Sequence, residues 1–288
     1  MDFTFFLIQA LNGVQYGLLL FLIASGLTLI FGIMHVINLA HGAFYMVGAY
    51  LVWSLTGVFD SFVVAILAGI VCAAALGWVI ERFLVIHLYN RDHLDQVLLT
   101  YGLILVLNEV QRMMFGSDVH GVAVPSMVAA SIPLTDTLSY PVYRLVLAGV
   151  CLALAFAMYW IIQRTRLGMW IRAGAANREM TASLGIDIRR LNALVFAAGT
   201  ALAAFAGMIA APLSSVYPGM GDNVIIISFV VVVIGGIGSV KGAFLGALAI
   251  GLTDTFGRVL LPEMSSVMVY ALMAAVLLWK PNGLFARA

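Results

Sequence analysis

Apolar residues run along this chain in blocks of the length a membrane demands. The blocks cover 5–34, 43–55, 62–80, 97–115, 145–162, 191–212, 224–251 and 267–279. A bilayer core takes about 20 apolar residues per helical span, so the chain has room for about eight or nine spans. An outer-membrane barrel would alternate polar and apolar positions along short strands, and this chain does not. The pattern therefore predicts an all-α, polytopic membrane helical bundle, folded as a single transmembrane domain over 1–288.

Two blocks are interrupted. The first interruption, His35-Val36-Ile37-Asn38-Leu39-Ala40-His41-Gly42, sets two histidines and an asparagine between apolar flanks. Irregular backbone is tolerated at membrane depth only where protein buries it or a wet cavity faces it. Hydropathy does not place this break in depth, so a kinked, buried segment and an ordinary turn between spans both fit. The second interruption, 235–242, holds four glycines and a serine in eight residues. Each glycine costs about 1 kcal/mol relative to alanine inside a helix. Only eleven apolar residues precede it, at 224–234. That predicts a discontinuous helix whose free amides and carbonyls face a pathway; a glycine-rich turn marked by Lys241 is the other reading. Asn38, His41, Gly42, Gly235, Gly236, Gly238 and Ser239 are accordingly the candidate pathway residues. The tetrapeptides His41-Gly42-Ala43-Phe44 and Lys241-Gly242-Ala243-Phe244 echo one another, as two halves of a transporter can.

Charge is sparse, so its placement decides more than its sum. Six of the fourteen basic residues lie in 164–190: Arg164, Arg166, Arg172, Arg178, Arg189 and Arg190, opposed only by Glu179 and Asp187. A short arginine-rich loop between spans is retained on the cytoplasmic side. The basic tail from Lys280 to Arg287 puts the C-terminus on that side too, and alternation of spans puts the N-terminus outside. Segments 56–61, 116–142 and 214–223 carry no lysine or arginine, as outer segments should. The middle of the longest, 122–132, is apolar enough for a short interfacial helix or a re-entrant piece.

Acids inside spans are functional candidates by default. Here Glu109 has Arg112 at i+3 and Asp254 has Arg258 at i+4, spacings that favour structural pairs on one helix face. Glu81-Arg82 reads as an interface anchor. Within the arginine segment, 177–184 can form one or two helical turns, with Gly185 as C-terminal cap and Glu179 favoured at the helix N-terminus. Such a helix lying across the inner face suits a membrane subunit that receives motion from a soluble partner. A loop that only sets topology, or one that binds anionic lipid heads, is equally compatible with the charge.

Composition removes the soluble classes. The chain is 64% hydrophobic and 9% charged, against about a quarter charged in soluble domains. Cys72 and Cys151 sit alone in apolar blocks and read as buried hydrophobes. The N-terminal stretch has an acid and no basic residue, unlike a signal peptide, so the first block is expected to stay as a span. No GxxxxGK[ST] phosphate loop occurs; any ATP used must be bound by a partner.

Three stretches carry a family resemblance. INLAHGAFYMVGAY at 37–50, GGIGSVKGAFLGALAIG at 235–251 and ERFLVIHLYNRDHLDQVLLTYGL at 81–103 resemble signature stretches of the branched-chain (hydrophobic) amino acid ABC permease family, in its smaller membrane subunit. NREMTASLGID is similar to the coupling motif of ABC permeases, a Glu-Ala-Ala stretch followed by glycine, although Met180 and Thr181 replace both alanines. The resemblance covers nearly the whole chain. It implies a non-enzymatic permease subunit of an importer in the bacterial inner membrane. It further implies a second, related permease, two ATPase subunits that bind ATP and Mg, and an external binding protein that delivers cargo. On that basis Arg178, Glu179 and Gly185 would contact an ATPase. Urea, short amides or aromatic acids are alternative cargoes within the family, and an ATP-independent carrier or channel is the alternative from another class.

Overall fold

The longest apolar block becomes helix α1 (Phe3–Met34), 32 residues and so about 48 Å long at 1.5 Å per residue. That exceeds the ~30 Å hydrocarbon core. From Leu18 to Ala24 every side chain is buried, which makes α1 the axis of the bundle rather than an amphipathic edge. The computed structural model describes residues 3–89, 91–135 and 138–285. Arg287, counted above in the basic tail, lies outside them.

Around α1 stand α2 (His41–Phe59), α3 (Phe62–Phe83), α4 (His93–Phe115), α5 (Val142–Arg164), α8 (Ile188–Ala210), α9 (Met220–Gly235), α10 (Val240–Leu260) and α11 (Ser265–Trp279), while α6 (Arg166–Ala176) and α7 (Arg178–Ser183) join α5 to α8. Among the described residues, eight helices are long and apolar enough to cross a membrane, and the 16-residue α9 is a shorter apolar one. The all-α polytopic bundle expected from the sequence is what the chain forms. One end of the bundle, the arginine end, holds α6, α7 and the C-terminus of α1. The opposite end carries a small antiparallel hairpin, β1 (Ser131–Thr135) and β2 (Leu138–Pro141).

That hairpin corrects one expectation. Residues 122–132 form neither an interfacial helix nor a re-entrant one, but a single 3₁₀ turn, Ser126–Val128, leading into β1. Pro125 and Pro133 lack the amide protons a continuous helix would use. The adjoining loop is tied down by a two-way bridge between His120 and Val216, 2.8 Å each way.

Small residues let α1 approach its neighbours at backbone distance, the means by which membrane helices pack without a hydrophobic driving force. Along α10, which runs antiparallel, Gly13 faces Gly251 and Leu252, Gly17 faces Ala247 and Leu248, and Gly32 faces Gly238. Against α8 the crossing point is Gly26 on Gly199: a Cβ on Gly26 would lie 2.6 Å from the Gly199 carbonyl oxygen and 2.9 Å from the His41 ring. The two echoed tetrapeptides find a packing reason here. Gly42 abuts Gly221 at one end of α9, and Gly242 abuts Gly235 at the other.

Candidate functional site

The first interruption lies inside the bundle. The helical ladder of α1 closes with His35 N to Phe31 O at 3.0 Å, and His35 takes a left-handed φ of 53°. The chain then folds back. Val36, Asn38, Ala40 and His41 are all fully buried, and Nε2 of His41 lies 2.9 Å from the Ile23 carbonyl. Ile23 stands eleven residues before the end of α1, or about 16 Å along it. The irregular backbone is held by α4: Ile37 N donates to Gln96 Oε1 (3.1 Å), and Thr100 Oγ1 donates to the Ile37 carbonyl (3.4 Å). The segment is buried in protein, and polar side chains on α4 replace its missing helical partners. Two buried polar groups stay unmatched there: the Asn38 amide and Nδ1 of His41.

The second interruption is present where expected, and its geometry is a tight turn. Gly236 and Gly238 take φ of 93° and 78°, and Ser239 caps α10 by accepting the Gly242 amide at 3.1 Å. The carbonyls at the end of α9 are already engaged: Leu284 N donates to Ile234 O (2.9 Å) and Phe285 N to Gly235 O (3.1 Å). Lys241 lies over the Tyr159 ring at 5.6 Å. Gly42, at one end of α9, is therefore separated from Gly235, at the other, by the length of that helix, and Gly238 is set against Gly32 of α1.

The arginine segment is mostly helical, more so than its charge suggested. Thr165 caps α6, accepting Gly168 N at 3.2 Å, and the Arg172 guanidinium donates back to the Ile162 carbonyl at the end of α5. Asn177 then caps α7 through Oδ1, accepting Met180 N at 2.9 Å. Gly185, at φ 84°, ends it: Gly185 N reaches Ala182 O at 2.9 Å and Ile186 N reaches Thr181 O at 3.4 Å. Only a residue free of Cβ takes that left-handed position without strain. Glu179 and Gly185 are exposed, and Arg178 is partly covered. Beside them Met180 and Leu184, 62% and 74% exposed, project from a helix that lies off the bundle. This exposed face thus sets an apolar pair beside an acid.

What seats this helix was not visible in the sequence. Glu81, read as an interface anchor, is 1% exposed. Its carboxylate accepts a short hydrogen bond from the Tyr89 hydroxyl. The Arg178 guanidinium lies over the Tyr89 ring, 4.7 Å from its centroid, a cation–π contact. Burial first, and then the Glu81 bond, push the Tyr89 hydroxyl well above the ordinary tyrosine range, so it stays a donor. The fully buried Asn192 of α8 approaches the same hydroxyl while closing no hydrogen bond of its own. One tyrosine thus links α7 to the arginine ends of α3 and α8. The available signal was weak: an acid at the end of a block with a tyrosine eight residues on.

Glu109 and Asp254 are paired as their spacing suggested. Glu109 and Arg112 meet at 3.8 Å in the open. Asp254, nearly buried, receives both Nε and an Nη of Arg258, at 2.8 and 3.2 Å.

The comparisons agree with this architecture. Residues 9–277 match the family model described as the permease component of the branched-chain amino acid transport system. The chain is 31% identical to the high-affinity branched-chain amino acid permease BraD of Pseudomonas aeruginosa, over 98% of this chain and 96% of BraD. It is 32% identical to LivH of Escherichia coli K12, over 99% and 97%. It is also 28% identical to LivM of the same bacterium, over 91% of this chain and 67% of LivM. No solved structure matches. A full-length match to the family model and to two relatives of nearly equal length leaves one assignment: the chain belongs to the branched-chain amino acid transport system permease family.

Proposed function

We propose that this chain is one of two membrane subunits of an ATP-binding-cassette importer in the bacterial inner membrane, moving branched-chain or other hydrophobic amino acids inward. An external binding protein delivers the cargo. The second permease is a related chain, as the likeness to both LivH and LivM suggests. Two ATPase subunits bind ATP and Mg; this subunit has no catalytic role. The arginine end faces the cytoplasm, with the C-terminus there and the N-terminus outside, since six arginines resist translocation.

The observation that supports this reading best is α7, a helix capped at both ends, exposed on Glu179, Met180 and Leu184, and seated through Arg178 on Tyr89. In this role Arg178, Glu179 and Gly185 form or position the surface an ATPase grips. The ATPases then bias the permease pair between two states through differential binding. The buried break at Asn38–Gly42 borders the pathway. An ATP-independent carrier would want free acids in mid-membrane; Glu109 and Asp254 are engaged by arginines and Glu81, at the end of α3, by Tyr89.

The test is Glu179→Arg in the assembled transporter. The variant is expected to reach the membrane at normal levels and to lose the ATPase stimulation that a leucine-loaded binding protein produces. Full stimulation in that variant refutes the coupling role. A tagged chain that purifies alone and still moves solute without ATP refutes the importer.

A further inference from the structure

A cavity of about 240 Å³ opens at the arginine end, between the last two turns of α1, the end of α5, α6 and the α9–α10 turn. Its walls are mixed, apolar and polar. Leu29, Ile162, Ile171 and Ile237 supply aliphatic surface, while Thr28 and Arg172 supply donors. Three separate features converge on it. The Thr28 hydroxyl is buried and makes no hydrogen bond, although Thr28 is only 1% exposed. Arg172 uses one donor on the Ile162 carbonyl, and a guanidinium has five. Finally, α1 ends in the cavity wall at Gly32 and Ile33. The ladder closes at Phe31, so the last carbonyls lie beyond it, at the negative end of a long helix.

These features are complementary to one small molecule. A carboxylate fits the paired donors of a guanidinium and gives the orphaned Thr28 hydroxyl an acceptor. An ammonium fits the end carbonyls of α1; Thr28 and Gly32 stand at i,i+4 and so share a helix face. The aliphatic wall fits a branched apolar side chain. We propose that this cavity is a binding site for one aliphatic α-amino acid, held as its zwitterion on the arginine side of the permease. The choice of an amino acid rests on the family's cargo class as proposed above. The site lies between the coupling segment, through Arg172, and the second helix interruption, through Gly238. An amino acid seated there holds α6 against α1, so product on that side slows the next cycle.

The test uses the chain with whatever subunits co-purify, in nanodiscs without binding protein, and measures binding of labelled leucine. Leucinamide lacks the carboxylate and 4-methylpentanoate lacks the ammonium; each should compete at least about tenfold less well than leucine, the equivalent of ~1.4 kcal/mol. Thr28→Val keeps the shape and removes the hydroxyl, and should weaken leucine by about tenfold. Arg172→Gln should abolish binding, and Thr28→Val carries the test if Arg172→Gln fails to fold. Absence of leucine binding overturns the proposal, as does binding that neither analogue nor variant changes. Leucine import by a wild-type complex that shows no such leucine binding would leave the importer standing and this inference fallen. Leucine binding in a complex that imports another cargo would do the reverse.

Discussion

Replacing Tyr89 by phenylalanine separates the two arms of the seat beneath α7. The ring remains, so Arg178 keeps its cation–π partner, worth about 0.5–2 kcal/mol. The hydroxyl goes, and Glu81, at 1% exposure, loses the hydrogen bond it accepts. A hydrogen bond to a charged group contributes ~1.5–3 kcal/mol, and a buried carboxylate left alone carries a further desolvation penalty. Tyr89→Phe should therefore destabilise the protein by roughly 2–3 kcal/mol. Glu81→Gln on its own should cost less, because a neutral amide tolerates burial better. The double variant should be milder than the sum, with a coupling of about 1.5 kcal/mol. Thermal or denaturant unfolding in one detergent gives all four corners of the cycle. Tyr89→Leu, which also removes the ring under Arg178, should add loss of stimulated ATPase activity while basal hydrolysis by the partner subunits persists. Strict additivity of Tyr89→Phe and Glu81→Gln, or a neutral Tyr89→Phe, would refute the linkage.

Two further outcomes follow from backbone contacts. Gly26→Ala puts a methyl 2.6 Å from the Gly199 carbonyl and should cost about 1–3 kcal/mol by overpacking. Gly57→Ala, with nothing within 4 Å, should leave the unfolding midpoint unchanged or raise it slightly; equal effects at both sites would contradict the packing described. Gly185→Ala forces a side chain into left-handed backbone at ~1–2 kcal/mol. It should lower stimulated ATPase activity more than Gly185→Asn, since asparagine tolerates that region, and the reverse order would point away from a cap.

Much of the fold was legible because it is written in block length, and a bilayer fixes that length. The α7 helix was legible too, since Asn177, Glu179 and Gly185 are local signals for a start and a stop. The burial of the first break was not. It depends on Gln96 and Thr100 reaching Ile37 from about sixty residues away, and hydropathy carries no such long-range pairing. The strands at 131–135 and 138–141 are hidden because apolar content alone does not register Pro125 and Pro133, which lack the amide protons a helix needs. α6 was hidden by its arginines, which announce sidedness but are also good helix formers. Glu81 misled for a related reason: an acid at the end of a block ordinarily reaches for water, and only the fold brings Tyr89 over it.

The two amides that complete α9 come from residues fifty positions downstream of the carbonyls they satisfy, Leu284 for Ile234 and Phe285 for Gly235. During synthesis α9 is made before the segment that follows α11, so those carbonyls meet these partners only once that segment is present. The helix end is therefore finished late, when the segment after α11 doubles back over Gly236. Maturation of the arginine end is a retrospective event: a later segment acts as a seal on one made about fifty residues before it.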